Sequence, residues 1–279
     1  MTKTLYLECN TGISGDMTVA ALLDLGADWQ YLKSVLESMP VSGYEVECSR
    51  VKKAGIDCMD FQVRLEHENH DHDMQYLYGH EHSEHHHQVH LQEHNHQAHP
   101  QEKGHHHHHE HRGLPEILEL LEQCQMTDGA RATAKKIFYI LAEAEAGVHA
   151  VSMEQVHFHE VGAVDSIVDI VAAAVCLDNL GIEEVIVPRL CEGMGSVRCQ
   201  HGILPVPVPA TAAILEKHQI RLKIIEEQGE FVTPTGAAIV AAIRTSDRLP
   251  EEWMIQKIGL GAGKRNYERA SILRAMLIK

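Results

Sequence analysis

A histidine-rich segment inside the chain limits how the remainder can fold. Residues 67–111 hold 18 of the 23 histidines, interleaved with eight carboxylates and one lysine. The segment lacks a regular apolar period, so it cannot bury a core, and we predict that it is disordered without metal. The folded part must then come from residues 1–66 and 113–279, with residues 67–112 as a surface insertion between them.

The side chains of this segment indicate a ligand class. Neutral imidazole suits nickel, zinc, copper and cobalt, and neighbouring carboxylates attract divalent cations. A tract of this kind binds metal loosely and in many arrangements, which favours storage or delivery over a rigid catalytic site. A purification tag and a merely polar linker are the alternatives. The two densest runs are the predicted metal ligands: His85, His86, His87, His105, His106, His107, His108 and His109.

Composition narrows the classes of partner and compartment. The net charge is −16 with neutral histidine, and no basic stripe is present, so we expect no nucleic-acid partner. The seven cysteines are odd in number, form no CxxC pair and follow no signal peptide, which predicts reduced thiols in the cytoplasm. No apolar run approaches the ~18–20 residues that span a bilayer, so we expect no membrane association.

Hydrophobic periodicity predicts helices and strands in mixed order along the chain. Helices are predicted at residues 16–25, 28–38, 114–124, 128–146, 164–180, 210–217 and 233–243. Strands are predicted at residues 4–9, 44–52, 56–66, 185–188, 220–226, 254–258 and 272–278, with candidate hairpins at 53–55 and 191–203 and a glycine-rich loop at 259–263. We therefore predict an α+β fold with a mixed, partly antiparallel sheet and packed helices, rather than a doubly wound parallel sheet.

The densest set of candidate ligands outside the tract begins at His157. In extended chain, His157 and His159 point to the same side, because side chains alternate with a period of two. Asp165 and Asp169 are four residues apart and share one face of the predicted helix. Imidazoles and carboxylates together suit a divalent metal, so we predict His157, His159 and Asp169 as metal ligands and His157, His159 and Asp165 as catalytic residues. The alternative is that the aspartates cap the helix and the histidines bind backbone carbonyls.

A glycine-containing turn between the first strand and the first helix is a candidate anion site. Small residues let backbone N–H groups approach an anion, and a helix N-terminus favours negative charge. The candidates here are Gly12, Ser14, Gly15 and Asp16. Asp16 has a simpler alternative role as the helix N-cap.

Two later glycine-containing segments share this character. Thr235 follows a proline at a predicted helix start, and Lys264 and Arg265 follow Gly261 and Gly263. Backbone amides with adjacent cations suit a phosphate monoester. Neither the Walker spacing nor the dinucleotide fingerprint is present in its required context, so ATP and NAD are not implied. An ordinary turn remains the alternative for each segment.

Three further residues are weaker candidates. His201 precedes a proline-rich extended run and either points into a cleft or is solvated in a turn. Cys191 and Cys199 could bind nickel as thiolates, although isolated cysteines more often behave as small buried hydrophobic residues.

Five stretches of this sequence resemble the LarC nickel-insertion proteins, in the order in which that family has them. They are GISGDM (12–17), HFHEVGAVDSIVDIV (157–171), HGILPVPVPAT (201–211), TPTGAA (233–238) and GLGAGKR (259–265). The histidine-rich insertion fits the same family.

The resemblance implies a role in making the nickel-pincer cofactor of lactate racemase and related enzymes. LarC proteins insert nickel into pyridinium-3,5-bisthiocarboxylic acid mononucleotide, forming two Ni–S bonds and one Ni–C bond, and the reaction consumes CTP, with Mg(II) or Mn(II) expected. Full-length members carry a further C-terminal portion, so the resemblance implies either a separate C-terminal LarC chain or a truncated form. Apo lactate racemase or a related enzyme is the implied recipient, and we expect a homo-oligomer. The alternative function is non-catalytic nickel storage and delivery.

Overall fold

The computed structural model describes residues 3–66, 112–156, 158, 164–199 and 201–279. Within these residues the chain forms seven α-helices and ten β-strands. The helices are α1 (Gly15–Leu25), α2 (Trp29–Glu37), α3 (Leu114–Gln123), α4 (Asp128–His149), α5 (Val164–Asn179), α6 (Pro209–Lys217) and α7 (Pro234–Ile243). The strands are β1 (Thr4–Glu8), β2 (Tyr44–Lys53), β3 (Ile56–Leu65), β4 (Glu184–Ile186), β5 (Leu190–Met194), β6 (Ser196–Cys199), β7 (Gly202–Pro205), β8 (Leu222–Gln228), β9 (Ile255–Ala262) and β10 (Ile272–Ile278). The predicted histidine-rich insertion lies outside the described residues.

Six strands form the main sheet, in the order β2-β3-β9-β10-β1-β4. Strands β2 and β3 form an antiparallel hairpin, and β10 is antiparallel to both of its neighbours, β9 and β1. The pairs β3–β9 and β1–β4 are parallel. The main sheet therefore combines three strands that precede the histidine-rich segment in sequence (β1, β2 and β3) with three that follow it (β4, β9 and β10).

Helix α1 is buried on almost every side because it lies between the main sheet and helix α5. Nine of its eleven residues are buried. Strand β9 approaches α1 closely at two glycines: a Cβ on Gly259 would lie 2.2 Å from the Ala21 carbonyl oxygen, and one on Gly261 would lie 2.1 Å from that of Met17. A side chain at either position would push the helix away from the sheet.

Helix α5 forms the centre of the helical layer. Its residues Ile170–Leu177 are buried throughout, so it packs as a core helix against α1, α2 and α4. Helices α6 and α7 pack on α4. Two small sheets, the parallel pair β5–β8 and the antiparallel hairpin β6–β7, complete the described fold.

The predicted α+β class and the mixed sheet are confirmed, but three local predictions differ from the structure in their bounds or pairing. Strand β9 continues to Ala262, so most of the expected glycine-rich loop is strand, which its glycines allow by packing directly on α1. Strand β5 pairs with β8, and the hairpin in this region is β6–β7. Helix α4 continues to His149, where Ala150 ends it in a left-handed conformation.

Candidate functional site

Three segments of the chain meet at the N-terminal end of α1. Gly12 has a φ of +81°, and a Cβ at this position would lie 1.9 Å from the carbonyl oxygen of Phe231. The N–H of Ile13 donates to that oxygen at 2.9 Å, and the carbonyl of Ile13 accepts from Thr233 at 3.2 Å. The loop after β1 is thereby fixed against the segment that leads into α7.

A buried glutamate on β5 holds that second segment in place. Glu192 is fully buried, and its carboxylate accepts backbone N–H bonds from Gly193 at 2.9 Å, Phe231 at 2.6 Å and Val232 at 3.2 Å. Burial raises the pKa of Glu192, and the three backbone donors oppose that rise. Sequence analysis missed this residue, although a single glutamate in a strand of apolar and small residues is a signal for a buried structural carboxylate.

Two carboxylates meet where α1 and α5 approach each other. Ser14 occupies the N-cap position of α1 and Asp16 lies in the first turn, so the alternative role of Asp16 as N-cap is wrong. The backbone N–H of Asp16 donates to the carboxylate of Asp169, and Ser14 Oγ donates to Asp16 Oδ1. Gly15 permits this approach, because a Cβ there would lie 2.5 Å from Asp169 Oδ2. A carboxylate from α5 thus complements the positive end of α1.

Burial makes these two carboxylates difficult to ionise together. Asp169 Oδ1 is inaccessible to solvent and has no hydrogen-bond partner among the described residues. Burial, followed by the charges of Asp16 and Asp165, raises the pKa of Asp169 well above its ordinary value. Burial also raises the pKa of Asp16, against the opposing effects of Lys264 and Ser14. The pair therefore retains a proton at a pH where an exposed aspartate has lost it.

Two cationic side chains, those of Lys264 and Arg265, line the same cavity as Asp16, and each already forms an ion pair with a carboxylate. Lys264 Nζ donates to Asp60 and to the carbonyl oxygen of Phe61, the latter at 2.8 Å. Arg265 donates to the carbonyl of Glu230 at 2.9 Å and lies 3.4 Å from its Oε2. A cavity of about 170 Å³ opens here, and we call it the carboxylate cleft. Residues that line it include Ser14, Asp16, Glu230, Lys264 and Arg265.

The predicted anion-binding residues are brought together only in part. Gly263 joins Ser14, Asp16, Lys264 and Arg265 in the cleft wall. Gly12 and Gly15 shape the loop beneath it through the close approaches described above. Thr235 is buried in the first turn of α7, whereas Thr233 lines the cleft and caps that helix. Gly261 lies inside β9, where packing against α1 already explains the absence of a side chain.

The predicted metal-binding and catalytic residues divide into described and undescribed groups. Asp165 and Asp169 both lie in α5, one turn apart, as their spacing predicts. Asp165 Oδ1 accepts from the Ser166 N–H at 2.9 Å. The remaining predicted residues lie outside the described part of the chain, and their roles stay predictions: His85, His86, His87, His105, His106, His107, His108, His109, His157 and His159.

A second cavity, of about 280 Å³, shares Glu230 and Arg265 with the carboxylate cleft. His149, at the end of α4, and His201, in the β6–β7 turn, place their ring centroids 5.0 Å apart at this cavity. We call it the histidine groove, and its polar lining consists of Glu145, His149, Arg198, Cys199, His201, Glu230 and Arg265. Its other walls are apolar and include Val148, Val197, Leu204, Val208 and Pro209.

The two cysteines considered from the sequence have different surroundings. Cys199 lies at the end of β6 and lines the histidine groove. Cys191 is buried against Ile225 and Phe231, so it behaves as a core residue. All seven cysteines are free thiols. Sequence analysis did not identify His149, since its distance from His201 along the chain gives no signal of their contact.

Neither cavity is a closed metal site. Among the residues that the structure describes, no group of three histidine, cysteine, aspartate or glutamate side chains is arranged to hold a metal ion. In the same part of the chain, no helix is long and apolar enough to cross a membrane.

The fold and the two adjoining cavities define an α+β protein that presents carboxylate, imidazole and thiol side chains beside the cationic side chains of Lys264 and Arg265. The family model described as nickel insertion protein matches residues 5–279, and the chain belongs to this family. No solved structure matches the chain.

Three relatives show how far the similarity extends. Each is named pyridinium-3,5-bisthiocarboxylic acid mononucleotide nickel insertion protein. The relative from Alkaliphilus metalliredigens is 50% identical over 100% of this chain and 61% of its own length. The relative from Clostridium acetobutylicum is 45% identical over 99% of this chain and 64% of its own length. The relative from Akkermansia muciniphila is 38% identical over 99% of this chain and 60% of its own length. The chain therefore spans about three fifths of the relatives it matches.

Proposed function

We propose that this chain binds Ni(II) and acts in the CTP-dependent insertion of nickel into pyridinium-3,5-bisthiocarboxylic acid mononucleotide, a lyase-class reaction that makes a nickel-pincer cofactor. The names of the relatives support this substrate. The complete system would include CTP with Mg(II) or Mn(II) and a separate C-terminal LarC chain. Apo lactate racemase or a related enzyme would receive the product, and the chain would act as a cytoplasmic homo-oligomer.

One observation carries the proposal: segments far apart in the sequence converge on the two adjoining cavities. Asp16, Thr233 and Lys264 come from three of the five LarC-like stretches and lie at the carboxylate cleft. Asp169, from a fourth stretch, contacts Asp16, and His201, from the fifth, lines the histidine groove. Stretches that shared only a folding role would have no reason to meet at cavities lined by carboxylate, imidazole and cationic side chains.

Nickel supply is the first part of the proposed mechanism. The histidine-rich tract would gather Ni(II), and His157, His159 and Asp165 would pass it to the substrate. Asp165 and Asp169 support this path because they place carboxylates on α5, the helix that directly follows the two histidines in sequence. Asp169 would act as a metal ligand on arrival.

Binding of the substrate phosphate is the second part of the proposed mechanism. The loops at Gly12–Asp16 and Gly259–Arg265 both border the carboxylate cleft, and Lys264 and Arg265 are its cations. We assign the phosphate to these two side chains rather than to the glycine amides. Gly261 faces α1 inside a strand, and the first turn of α1 already contacts Asp169, so an anion would meet a carboxylate there.

Removal of a proton from the substrate ring is the third part of the proposed mechanism. When the Ni–C bond forms, a ring C–H bond breaks, its electron pair enters the new bond, and the proton needs an acceptor. No change in the oxidation state of nickel is required. A carboxylate whose pKa is raised by burial accepts a proton more readily than an exposed one, and Asp16 lines the cleft, so we assign this proton to the Asp16–Asp169 pair.

The test is an insertion assay with Asp169→Asn. We expect the rate of product formation to fall by about 100-fold or more, the usual range for loss of a general base, while the nickel held by the histidine-rich tract stays unchanged. Asp128→Asn is the matched control, because Asp128 is exposed at the first turn of α4, away from both cavities. Full activity in Asp169→Asn would refute the assignment of the proton to this pair.

The second candidate function, nickel storage and delivery without catalysis, is favoured by the tract of residues 67–111. Under that alternative, all nickel binding would reside in the tract, and the core would bind no substrate. A chain lacking residues 67–111 that still supports insertion at high nickel concentration would exclude it.

A further inference from the structure

Strand β2 forms one edge of the main sheet, and this edge is long. The strand runs for ten residues, contains no proline, and pairs with β3 in an unbroken register from Tyr44 to Lys53. Its other side has no partner strand among the described residues. The opposite edge of the sheet is different, because backbone hydrogen bonds join Thr245 and Ser246 to the end of the three-residue strand β4. An uncovered edge such as that of β2 offers a row of backbone donors and acceptors to another strand.

The charged side chains of β2 are divided by sign between its two halves. The first half carries Glu45 and Glu47, and the second half carries Arg50, Lys52 and Lys53. Glu47 and Arg50, near the middle of the strand, form ion pairs within the chain. The three charges near its ends form no ion pair among the described residues, and Lys53 donates to a neutral amide oxygen at 3.1 Å. The strand therefore has an available negative charge at its start and available positive charges at its end.

We propose that β2 pairs with β2 of a second copy of this chain, so that the two main sheets join edge to edge about a two-fold axis. Antiparallel pairing brings the acidic half of each strand beside the basic half of the other, whereas parallel pairing would place like charges opposite each other. A two-fold axis perpendicular to the sheet relates antiparallel strands and keeps the helices of both copies on one face. The inference goes beyond the proposed function and supplies an interface for the homo-oligomer included in it.

The charges select a register centred on Ser49. Side chains alternate between the two faces of a strand, so this symmetry pairs odd-numbered residues of one copy with odd-numbered residues of the other. Pairing about Ser49 places Glu45 directly opposite Lys53 of the second copy, and the symmetry produces this contact twice. A register centred on Cys48 would place Glu45 opposite Val51 and leave its charge without a partner.

The face of β2 that points toward the helices has room for the basic half of the second copy. A cavity of about 480 Å³ is bordered by α2 and by the start of β2. Its lining includes the apolar side chains of Leu36 and Val46 and the carboxylate of Glu37. In the register centred on Ser49, Lys52 of the second copy lies opposite Val46. Its apolar stem would follow the cavity wall, and its ammonium group would extend toward Glu37.

Sedimentation velocity of the full chain tests this interface, with a chelator present to prevent metal from bridging two histidine-rich tracts. We expect a dimer. Glu45→Lys should raise its dissociation constant by about 10-fold or more, because two pairs of like charges replace two pairs of opposite charges. Lys53→Glu should have the same effect, and the double variant should restore the dimer. The matched control is Glu184→Lys, which reverses an exposed charge on β4 at the other edge of the sheet and should leave the dimer unchanged.

Disulfide crosslinking tests the register. Directly opposed residues of antiparallel strands have Cα atoms about 4.5–5.5 Å apart, a distance that a disulfide can bridge. Mild oxidation should therefore crosslink the variant Ser49→Cys into a covalent dimer. Glu184→Cys, at the other edge of the sheet, should not gain a crosslink. The opposite pattern would place the interface at β4 and overturn the inference.

Three further results would overturn it: a chain that stays monomeric, a dimer that Glu45→Lys does not weaken, or a dimer that is lost when residues 67–111 are deleted. Circular dichroism would confirm that each variant is folded, and recovery of the dimer in the double variant would exclude a folding defect. The proposed function is judged separately by insertion activity. Insertion by a monomeric chain would reject this interface and keep the insertion activity, whereas a β2-dependent dimer that never supports insertion would keep the interface and reject the function.

Discussion

The carboxylate cleft and the histidine groove share Arg265 and Glu230 but differ in donor chemistry and in rigidity. The cleft is built from oxygen donors and ion pairs, and its walls are fixed by close backbone approaches at Gly12 and by the buried Glu192. The groove is built from imidazoles and a thiol carried by a helix end and a hairpin turn. We therefore expect the cleft to be the more rigid of the two cavities, because the hairpin that borders the groove has open space around Gly202.

Under the proposed function, this difference would separate two tasks of nickel insertion. Oxygen donors with bound cations suit phosphate contacts and proton transfer, and softer donors suit the metal itself. The predictions below test this division, beginning with the one that has the largest expected effect.

The first prediction compares two glycines with positive φ, one from each region. Gly12→Ala should destabilise the fold by more than about 3 kcal/mol, because its Cβ would overlap the Phe231 carbonyl. Gly202→Ala in the groove hairpin has open space and should cost only the conformational penalty, about 1–2 kcal/mol. Chemical denaturation of both variants would measure the difference. Equal losses would mean that the cleft is no more rigid than the groove.

The second prediction concerns the stability cost of the buried carboxylates. The folded-state pKa of Asp169 is raised, so the folded chain holds a proton that the unfolded chain loses at about pH 4. Stability should therefore fall as pH rises from about 4 toward the folded-state pKa. Asp169→Asn should remove this dependence and stabilise the chain at pH 8 by about 0.5–2 kcal/mol.

Thermal unfolding of Asp169→Asn and of the parent chain between pH 4 and pH 8 would check this. The difference in stability between the variant and the parent chain should increase as the pH rises. A variant that is less stable than the parent at every pH would show that Asp169 is a structural cap for α1 rather than a strained functional group.

The third prediction, with the smallest effect at saturating metal, concerns the tract. Deleting residues 67–111 should leave insertion unchanged at high nickel concentration and reduce it at low concentration, because the tract supplies metal without taking part in the chemistry. Nickel held by the tract should also be released between about pH 7 and pH 5, as imidazole becomes protonated. An equal loss of insertion at every nickel concentration would place the tract in the reaction itself.

Local patterns predicted the class of fold but not its long-range contacts. The spacing of Asp165 and Asp169 placed both on one helix, since this depends only on helical periodicity. The glycines at 259, 261 and 263 were read as a loop, because their real role depends on a helix more than 200 residues away.

The residues of the candidate site could likewise be predicted only where the signal is local in sequence. Ser14, Asp16, Lys264 and Arg265 were identified from their loops, and they do line one cleft. The residues that set its electrostatics were not: Asp60 engages Lys264 across 204 positions, and Asp169 complements α1 from another helix. Such pairings leave no periodic trace in a single sequence. The contact between His149 and His201 was missed for the same reason.

The central claim is that this chain supports nickel insertion, and reconstitution tests it most directly. The chain would be incubated with Ni(II), CTP, Mg(II) and pyridinium-3,5-bisthiocarboxylic acid mononucleotide, with the C-terminal portion of a longer relative added as a second chain. Mass spectrometry and activation of apo lactate racemase would detect the product. We expect a nickel-containing mononucleotide that requires this chain. Tight nickel binding with no product, when the added portion is active beside its own N-terminal part, would contradict the claim.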